Sequence, residues 1–474
     1  MSQKIDTDIC VIGAGPAGSV AAKRLADLGH RVSIIESIPF PRSHVGICLS
    51  NDTYPLLQYL GIDRQVENAA FHQRKFTIVK WSGREPVETP QPGFHVDRGI
   101  FDNILLQSAI KSGAQLITAR ATGLIPLEEN EGWIINTENS TEHFSKRPGP
   151  KAISTRYIVD ATGRRGFIHD KKIKVSPPLV SLSATWSLIQ VPECDGCIEA
   201  GANSWVWFAQ TKSNTALVSL FADPNDIRHR GDRKIETTYH ELLHDYSLLR
   251  KCSLQKSVSQ VKVCDATSRY SSNPVGRSFI RVGDANHSVD PLASQGVHLA
   301  ILSSLQAAIV ANTILKSNNS GVAIEFYKER QREKVSQYRE RTSIEYNLAA
   351  KNFDTPFWDR RSTIEEPVKS IPKFEVARPD PSQALAISKE IEIKNIPVMQ
   401  EMFIAAAPAL HHPSLNRPIA YLEGFDVIKL LREITPGQTA ESVVNNWSSK
   451  IPSRPTDEIM SWLWSRKILI PYEF

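Results

Sequence analysis

"DICVIGAGPAGSVAAKRLADLGHRVSIIE", Asp8 to Glu36, decides the fold. Ile9, Cys10, Val11 and Ile12 make a continuous apolar run, the pattern of a short strand buried on both faces of a parallel sheet. Gly13-Ala14-Gly15-Pro16-Ala17-Gly18 follows at once. Val20, Ala21, Leu25 and Leu28 then recur at helical spacing, and Gly29 supplies a stop. "RVSIIE" reads as a second strand ending in Glu36.

This order is that of a βαβ unit that receives a dinucleotide. Gly13 permits the tight turn, Gly15 lets the backbone approach a pyrophosphate, and Gly18 lets the helix pack closely on the strand. Phosphate oxygens then meet the unpaired N–H groups of the helix N-terminus. Glu36 is placed to accept from ribose hydroxyls. The fingerprint by itself does not separate FAD from NAD. No second complete GxGxxG occurs, so a separate NAD(P)-binding Rossmann domain is not expected.

The rest of the composition narrows the setting. A chain of 474 residues, 41% hydrophobic, has enough material for two or three domains or one large interleaved unit. A net charge of +5 is too mild to point to a nucleic-acid partner. No apolar run reaches the ~20 residues that span a bilayer. The N-terminus lacks the basic and apolar segments of a signal peptide, so a cytoplasmic protein with reduced thiols is expected. Cys194-Asp-Gly-Cys197 is a lone CxxC without a second ligand pair nearby. It is expected to be a loop with two thiols, and no metal site is expected.

Three further stretches extend the reading. "VDRGIFDNILLQSA", Val96 to Ala109, sets Arg98 before an amphipathic helix. "YIVDATGRRG", Tyr157 to Gly166, is a strand followed by Asp160-Ala-Thr-Gly163. "SFIRVGDANHSVDP", Ser278 to Pro291, is a strand followed by Gly283-Asp284. The order GxGxxG, Arg, DATG, GD resembles the superfamily of FAD-dependent monooxygenases and flavin-dependent halogenases, which geranylgeranyl reductases share.

The resemblance implies an α/β fold: an FAD-binding Rossmann-type (GR2-like) domain interleaved with a mixed β-sheet substrate domain. A catalytic unit over residues 1–350 would take its FAD parts from 1–55, 96–170 and 276–350, and its substrate sheet from 56–95 and 171–275. Asp284 would hold the ribitol chain, and Arg98 would contact the flavin or its phosphates. Asp160 and Gly163 would belong to the strand and turn that close the FAD domain. Arg42, in "FPRSHVGICLS" (Phe40 to Ser50), would lie in a loop near the flavin. Pro291 to Val297, with Gly296, would pass close to the isoalloxazine ring. For Arg98 the plain alternative is a surface helix-cap arginine.

The branch within the superfamily is less uniform. "GVHLA", Gly296 to Ala300, is similar to the halogenase loop, whereas "GDANH", Gly283 to His287, is similar to aromatic hydroxylases. "AFHQRKFTIVKWSG", Ala70 to Gly83, resembles the phenolic-halogenase segment that carries a catalytic lysine, and Lys75 is the matching residue across a gap. The plainer reading of Lys75 and Lys80 is that of solvated strand residues. "SWVWFAQ", Ser204 to Gln210, matches the tryptophans of the halogenase WxWxIP signature and lacks its Ile-Pro. Trp205 and Trp207 share one face of a strand, as a substrate wall or as core. Similar departures mark the halogenase-like monooxygenases of tryptophylquinone biogenesis, which hydroxylate a tryptophan inside a polypeptide. His287 is a candidate proton donor beside the loop, or a loop histidine bonded to backbone.

What the resemblance implies is hydroxylation of an electron-rich aromatic group, such as a tryptophan in a peptide, through a flavin C4a-hydroperoxide. FAD would be reduced by NAD(P)H directly or through a separate flavin reductase, with O2 as co-substrate. The alternatives are a halogenase of a phenol, pyrrole or indole, and a saturating reductase of the geranylgeranyl-reductase type. The partners implied are an aromatic small molecule or a peptide or protein substrate, and a flavin reductase.

Composition shifts after the long charged helix that ends near Asn352. Residues 351–400 are rich in Pro and charge and are expected to be a linker or draped segment. Residues 401–474 are expected to form a mainly α module, similar to a small winged helix of the peptide-binding kind or a helical cap. "IAYLEGFDVIKLLREI" is amphipathic, and Thr456 is expected to cap the last helix. "TAESVVNNW" offers almost no basic residues for phosphates, which argues against DNA.

Overall fold

The computed structural model describes residues 4–42, 47–83, 85–128, 132–139, 151–229, 233–362 and 376–473. Residues 43–46 of the Phe40–Ser50 loop and 363–375 of the expected linker lie outside them. The chain divides into two compact units, residues 1–320 with 327–366, and residues 321–326 with 367–474.

The first unit is built on two sheets. Strands Gln115–Pro126, Val32–Glu36, Lys4–Ile12, Ala152–Asp160 and Phe279–Arg281 lie side by side in that order, all parallel. Trp133–Asn139 runs antiparallel to the second half of Gln115–Pro126 and to the start of Ala152–Asp160. Ile9, Val11 and Ile34 are completely buried, as the unbroken apolar run predicts. Each such side chain contributes about 1.5–3 kcal/mol through burial. Helix Pro16–Asp27 covers this sheet, flanked by helices Arg98–Lys111 and Gly296–Lys316. Gly296–Lys316 has the length and apolarity to cross a bilayer, yet most of it is buried inside this unit.

The second sheet has nine strands and is mixed: Gly196–Ala200 runs parallel to His72–Lys80, and its other pairings are antiparallel. Its register puts alternate residues on two different faces. Val206, Phe208, Val218, Leu220, Leu182 and Ala184 pack against Tyr239, Leu242 and Leu243 of helix Ile235–Leu243. Cys194, Cys197 and Cys252 are buried in the same core. The opposite face carries Thr77, Ile198, Trp205, Trp207, Ser219 and Phe221.

Two assignments differ from the sequence expectation. Cys48–Ser50, assigned above to the FAD segment, is the edge strand of the nine-stranded sheet, paired with Val87–His95. Three residues are too few to show a period, so only the partner strand fixes their sheet. The stretch 351–400 is not wholly a linker. Helix Pro356–Ser362 buries Phe357 and Trp358 in the first unit, and strands Leu385–Ile387 and Glu392–Gln400 are ordered by pairing. The apolar residues there are sparse, so composition hid them.

The second unit contains the hairpin Glu392–Gln400 with Phe403–His411, and strand Leu385–Ile387 antiparallel to Leu469–Pro471. Helices Val427–Arg432, Ala440–Ser448 and Ser453–Ser465 enclose Leu431, Val443, Trp447, Ile459 and Leu463. "IAYLEGFDVIKLLREI" is not one helix. Gly424, at φ +84°, turns a short hairpin, and Asp426 then caps the helix by accepting from the Ile428 and Lys429 N–H groups. Thr456 is inside the last helix rather than at its cap; its hydroxyl donates to the Pro452 carbonyl.

Candidate functional site

The phosphate end of the site is assembled at the carboxyl ends of the parallel strands. Gly13 has φ +100°, and a Cβ there would stand 2.6 Å from the Ala161 carbonyl oxygen. A Cβ on Gly18 would fall 1.8 Å from the Gly13 oxygen, so only glycine allows this helix to lie so close to its strand. A Cβ at Gly15 would meet only the Arg42 guanidinium within 4 Å, at 3.3 Å. Gly15 precedes Pro16 at the first helical position, and no side chain among the described residues caps the helix. Its first N–H groups are therefore free for an anion, the arrangement a pyrophosphate requires.

Glu36 is buried at the end of its strand. One oxygen accepts from the Ala14 N–H at 2.9 Å and from Arg42 at 3.1 Å; the other accepts from the Ile38 N–H. The acid is thereby fixed beside the glycine turn. Asp160 is fully buried, and its carboxylate is spent on its own turn, accepting from the Thr162, Phe167 and Ile168 N–H groups and the Thr162 hydroxyl. Gly163 sits in that turn at φ +73°. Asp160 thus fixes the turn that follows its strand.

Gly283 has φ +55°, and a Cβ there would lie 2.8 Å from the Ala17 methyl, so the Gly-Asp turn packs against the start of the Gly-rich helix. Asp284 beside it is partly exposed, with Arg164 at 3.7 Å. Arg98 is buried and donates to Asp102 at 2.7 and 3.0 Å. It is no surface cap; Asp97 caps that helix, accepting from the Gly99 and Ile100 N–H groups. Gly13, Gly15, Pro16, Ala17, Gly18, Glu36, Arg42 and Asp284 are thus brought together. An open glycine cradle, an uncapped helix start and a fixed acid fit a dinucleotide.

The second part of the candidate site is the segment Asp290 to Val297. Pro291 opens a single 3₁₀ turn, Ser294 takes a left-handed conformation at φ +50°, and Gln295 donates to the Ser50 hydroxyl at 3.3 Å. Gly296 is exposed and a Cβ there would meet nothing within 4 Å. Val297, next to it, is buried among Val20, Leu49 and Phe101. Asp290 accepts from the Leu292 N–H at 3.0 Å and from the Tyr346 hydroxyl at 3.1 and 3.2 Å. Burial raises the Asp290 carboxyl above its usual range, while these donors favour the anion. The Asp-Pro step announced a cap; nothing in the sequence announced Tyr346, which meets Asp290 only through the tertiary fold.

The tryptophans separate. Trp205 is 2% exposed and stacks on Phe221 with centroids 3.9 Å apart, edge-on to Trp81; it is core. Trp207 is half-buried, touches the Ile47, Ala209 and Leu217 group, and stands edge-on to His95 at 6.0 Å. Lys75 is exposed, and its backbone N–H donates to Asp195 at 2.8 Å. The structure does not bring it to the buried wall. Lys80 is no free surface residue either; it pairs with Glu199 at 2.9 Å. His287 is buried, lining a small crevice with Ser303, Gln331 and Lys334. Burial pushes its imidazole down to about 4. A ring that is neutral at pH ~7 is a poor proton donor, so its burial favours the loop histidine over the proton donor.

The comparisons agree with this geometry. Residues 6–342 match the family model described as FAD binding domain. A tryptophan 2-halogenase from Chondromyces crocatus is 29% identical over 340 residues, 68% of this chain; the chain spans 64% of that protein's length. The fold is that of the flavin-dependent halogenase CmlS, with a TM-score of 0.78 at 19% identity over 99% of this chain and 96% of that one. It is also that of the peptidyl tryptophan dihydroxylase QhpG, with a TM-score of 0.72 at 21% identity over 97% and 99%. The chain belongs to the FAD binding domain family, in the superfamily of flavin-dependent monooxygenases and halogenases.

Proposed function

We propose that this protein is an FAD-dependent monooxygenase that hydroxylates an electron-rich aromatic ring, with a tryptophan of a peptide as the substrate class. Bound FAD, reduced by NAD(P)H directly or through a separate reductase, would supply with O2 the oxidising equivalent. Gly15 and the helix start would bind its pyrophosphate, Glu36 its ribose and Asp284 its ribitol. The backbone of Pro291 to Gly296 would lie against the ring, held by Asp290, Tyr346 and Gln295. Trp207 would form the wall that orients the substrate and excludes water.

The observation that carries hydroxylation over halogenation is the exposed position of Lys75, the one residue matching the halogenase lysine. The likeness to the peptidyl tryptophan dihydroxylase over nearly the whole of both chains supports a peptide substrate. Halogenation stays the second reading because the Chondromyces relative is a tryptophan halogenase. The test is product mass after turnover with and without chloride or bromide. Gain of one oxygen in both supports hydroxylation; halide-dependent replacement of hydrogen by halogen overturns it.

A further inference from the structure

Trp81, Trp205, Trp358 and Tyr346 pack into one buried group, each between 0 and 7% exposed. Ring centroids stand 5.5 Å apart for Trp81 and Trp358, and 5.9 Å for Tyr346 and Trp358. Trp81 lies 5.9 Å from Trp205 and 6.4 Å from Tyr346. Edge-on and tilted contacts of this kind pack a core well. Indole and phenol are also among the side chains that give up an electron most readily. Rings in contact can pass the resulting hole from one to the next.

Their polar ends differ. Trp81 Nε1 donates to the Glu345 carbonyl at 2.7 Å, and Trp358 Nε1 to the Gly201 carbonyl at 3.0 Å. An amide carbonyl is too weak a base to take a proton. The Tyr346 hydroxyl instead donates to the Asp290 carboxylate, at 3.1 and 3.2 Å from its two oxygens. A phenol that loses an electron becomes a strong acid, so a carboxylate already on its O–H eases the oxidation. Burial holds the phenol protonated until then. Asp290 also begins the segment that would face the flavin ring.

We propose that Tyr346 is a light-driven one-electron donor to the bound flavin, with Trp81 and Trp358 extending the path behind it. This inference rests on the reading that Pro291 to Gly296 lie against the flavin ring. It does not depend on whether the substrate gains oxygen or halogen. Oxidised flavin excited by blue light is the oxidant. One electron passes from the Tyr346 ring to the flavin, the phenolic O–H bond breaks, and its proton binds an Asp290 oxygen. An electron from Trp81 or Trp358, with return of the proton from Asp290, then restores Tyr346 and moves the hole away from the flavin. Return of the electron from the flavin closes the cycle, and nothing is consumed.

The test uses the FAD-loaded full chain without substrate or O2, at mildly alkaline pH. The flavin fluorescence lifetime reads the donation, and transient absorption reads the oxidised tyrosine. The wild type should show a short lifetime and a tyrosyl signal that appears as the fluorescence decays. Tyr346→Phe keeps the ring and removes the O–H; it should lengthen the lifetime severalfold and abolish the tyrosyl signal. Deuterated water should slow the decay of the wild type and leave that of Tyr346→Phe unchanged. Trp81→Phe and Trp358→Phe should keep the short lifetime and speed the return of the electron. Trp186→Phe, packed with Tyr239 in the other core, should change neither. Equal lifetimes in wild type and Tyr346→Phe, or a wild type without a tyrosyl signal, overturn the inference. If Tyr346→Phe fails to fold, Asp290→Asn decides: without the proton acceptor the tyrosyl signal should fall, and an unchanged signal overturns the inference. Ring placement is read apart from this, by the ground-state absorption of Asp290→Asn. Shifted flavin bands beside a wild type with no tyrosyl signal sink the electron donor alone; unshifted bands sink the ring placement and the inference with it. Product mass reports separately on the hydroxylase reading.

Discussion

The Tyr346 hydroxyl donates to the Asp290 carboxylate at 3.1 Å, and neither residue is exposed. The contact ties the long helix Ser320–Ala350 to the segment that begins the proposed flavin-ring contact.

That contact has a pH signature. The folded-state pKa of Asp290 is raised above its ordinary 3.8, chiefly by desolvation. The folded protein therefore binds this proton more tightly than the unfolded chain. Its contribution to stability is full below 3.8 and is lost as pH rises through the folded value. Asp290→Asn keeps an oxygen for the Leu292 N–H and does not titrate. The melting temperature of the variant should gain on the wild type as pH rises from about 4 to about 8. A constant difference across that range would show that the carboxyl is not perturbed.

Trp205 and Trp207 share a strand face and should fail differently. Trp205→Ala empties a packed core and should cost about 3–5 kcal/mol in denaturant unfolding. Trp207→Ala should cost less stability, because its ring is only half-buried, and should lower kcat/KM toward the aromatic substrate more than Trp205→Phe does. Equal stability losses would place both residues in the core.

Lys75→Ala changes an exposed side chain with no packed neighbour named in the fold. Its stability should stay within about 0.5 kcal/mol of the wild type. Turnover should be unchanged. Loss of turnover with FAD fully bound would bring the lysine into the chemistry and favour halogenation.

Glu36→Gln tests the dinucleotide site. The amide loses the charge that draws both the Ala14 N–H and Arg42. Charge-assisted bonds of this kind are worth about 1.5–3 kcal/mol, or roughly ten- to a hundredfold in affinity. FAD titration of the apoprotein, read by flavin fluorescence, should weaken by that factor. An unchanged Kd would remove Glu36 from the cofactor site.

The phosphate end was legible in the sequence because its chemistry is local. Gly13, Gly15, Gly18 and Glu36 lie in one βαβ unit, where spacing alone dictates the turn, the close packing and the acid. The segment proposed to face the flavin ring was suggested only by the order of motifs, since Asp284 and Gly296 gain meaning from distant strands. Tyr346 was missed for the same reason: its partner Asp290 is set by a crossing helix, which no short window of sequence contains. Trp205 and Trp207 had identical patterns, and only burial separates them.

The strand order of the parallel sheet has a consequence for biosynthesis. Phe279–Arg281 pairs with Ala152–Asp160, and much of the second sheet is made between them. On the ribosome, strand Ala152–Asp160 must wait with an open edge until this late strand emerges. Long-range parallel pairing of this kind is slow. A nascent chain halted between Asp160 and Phe279 would leave that apolar edge without its native partner.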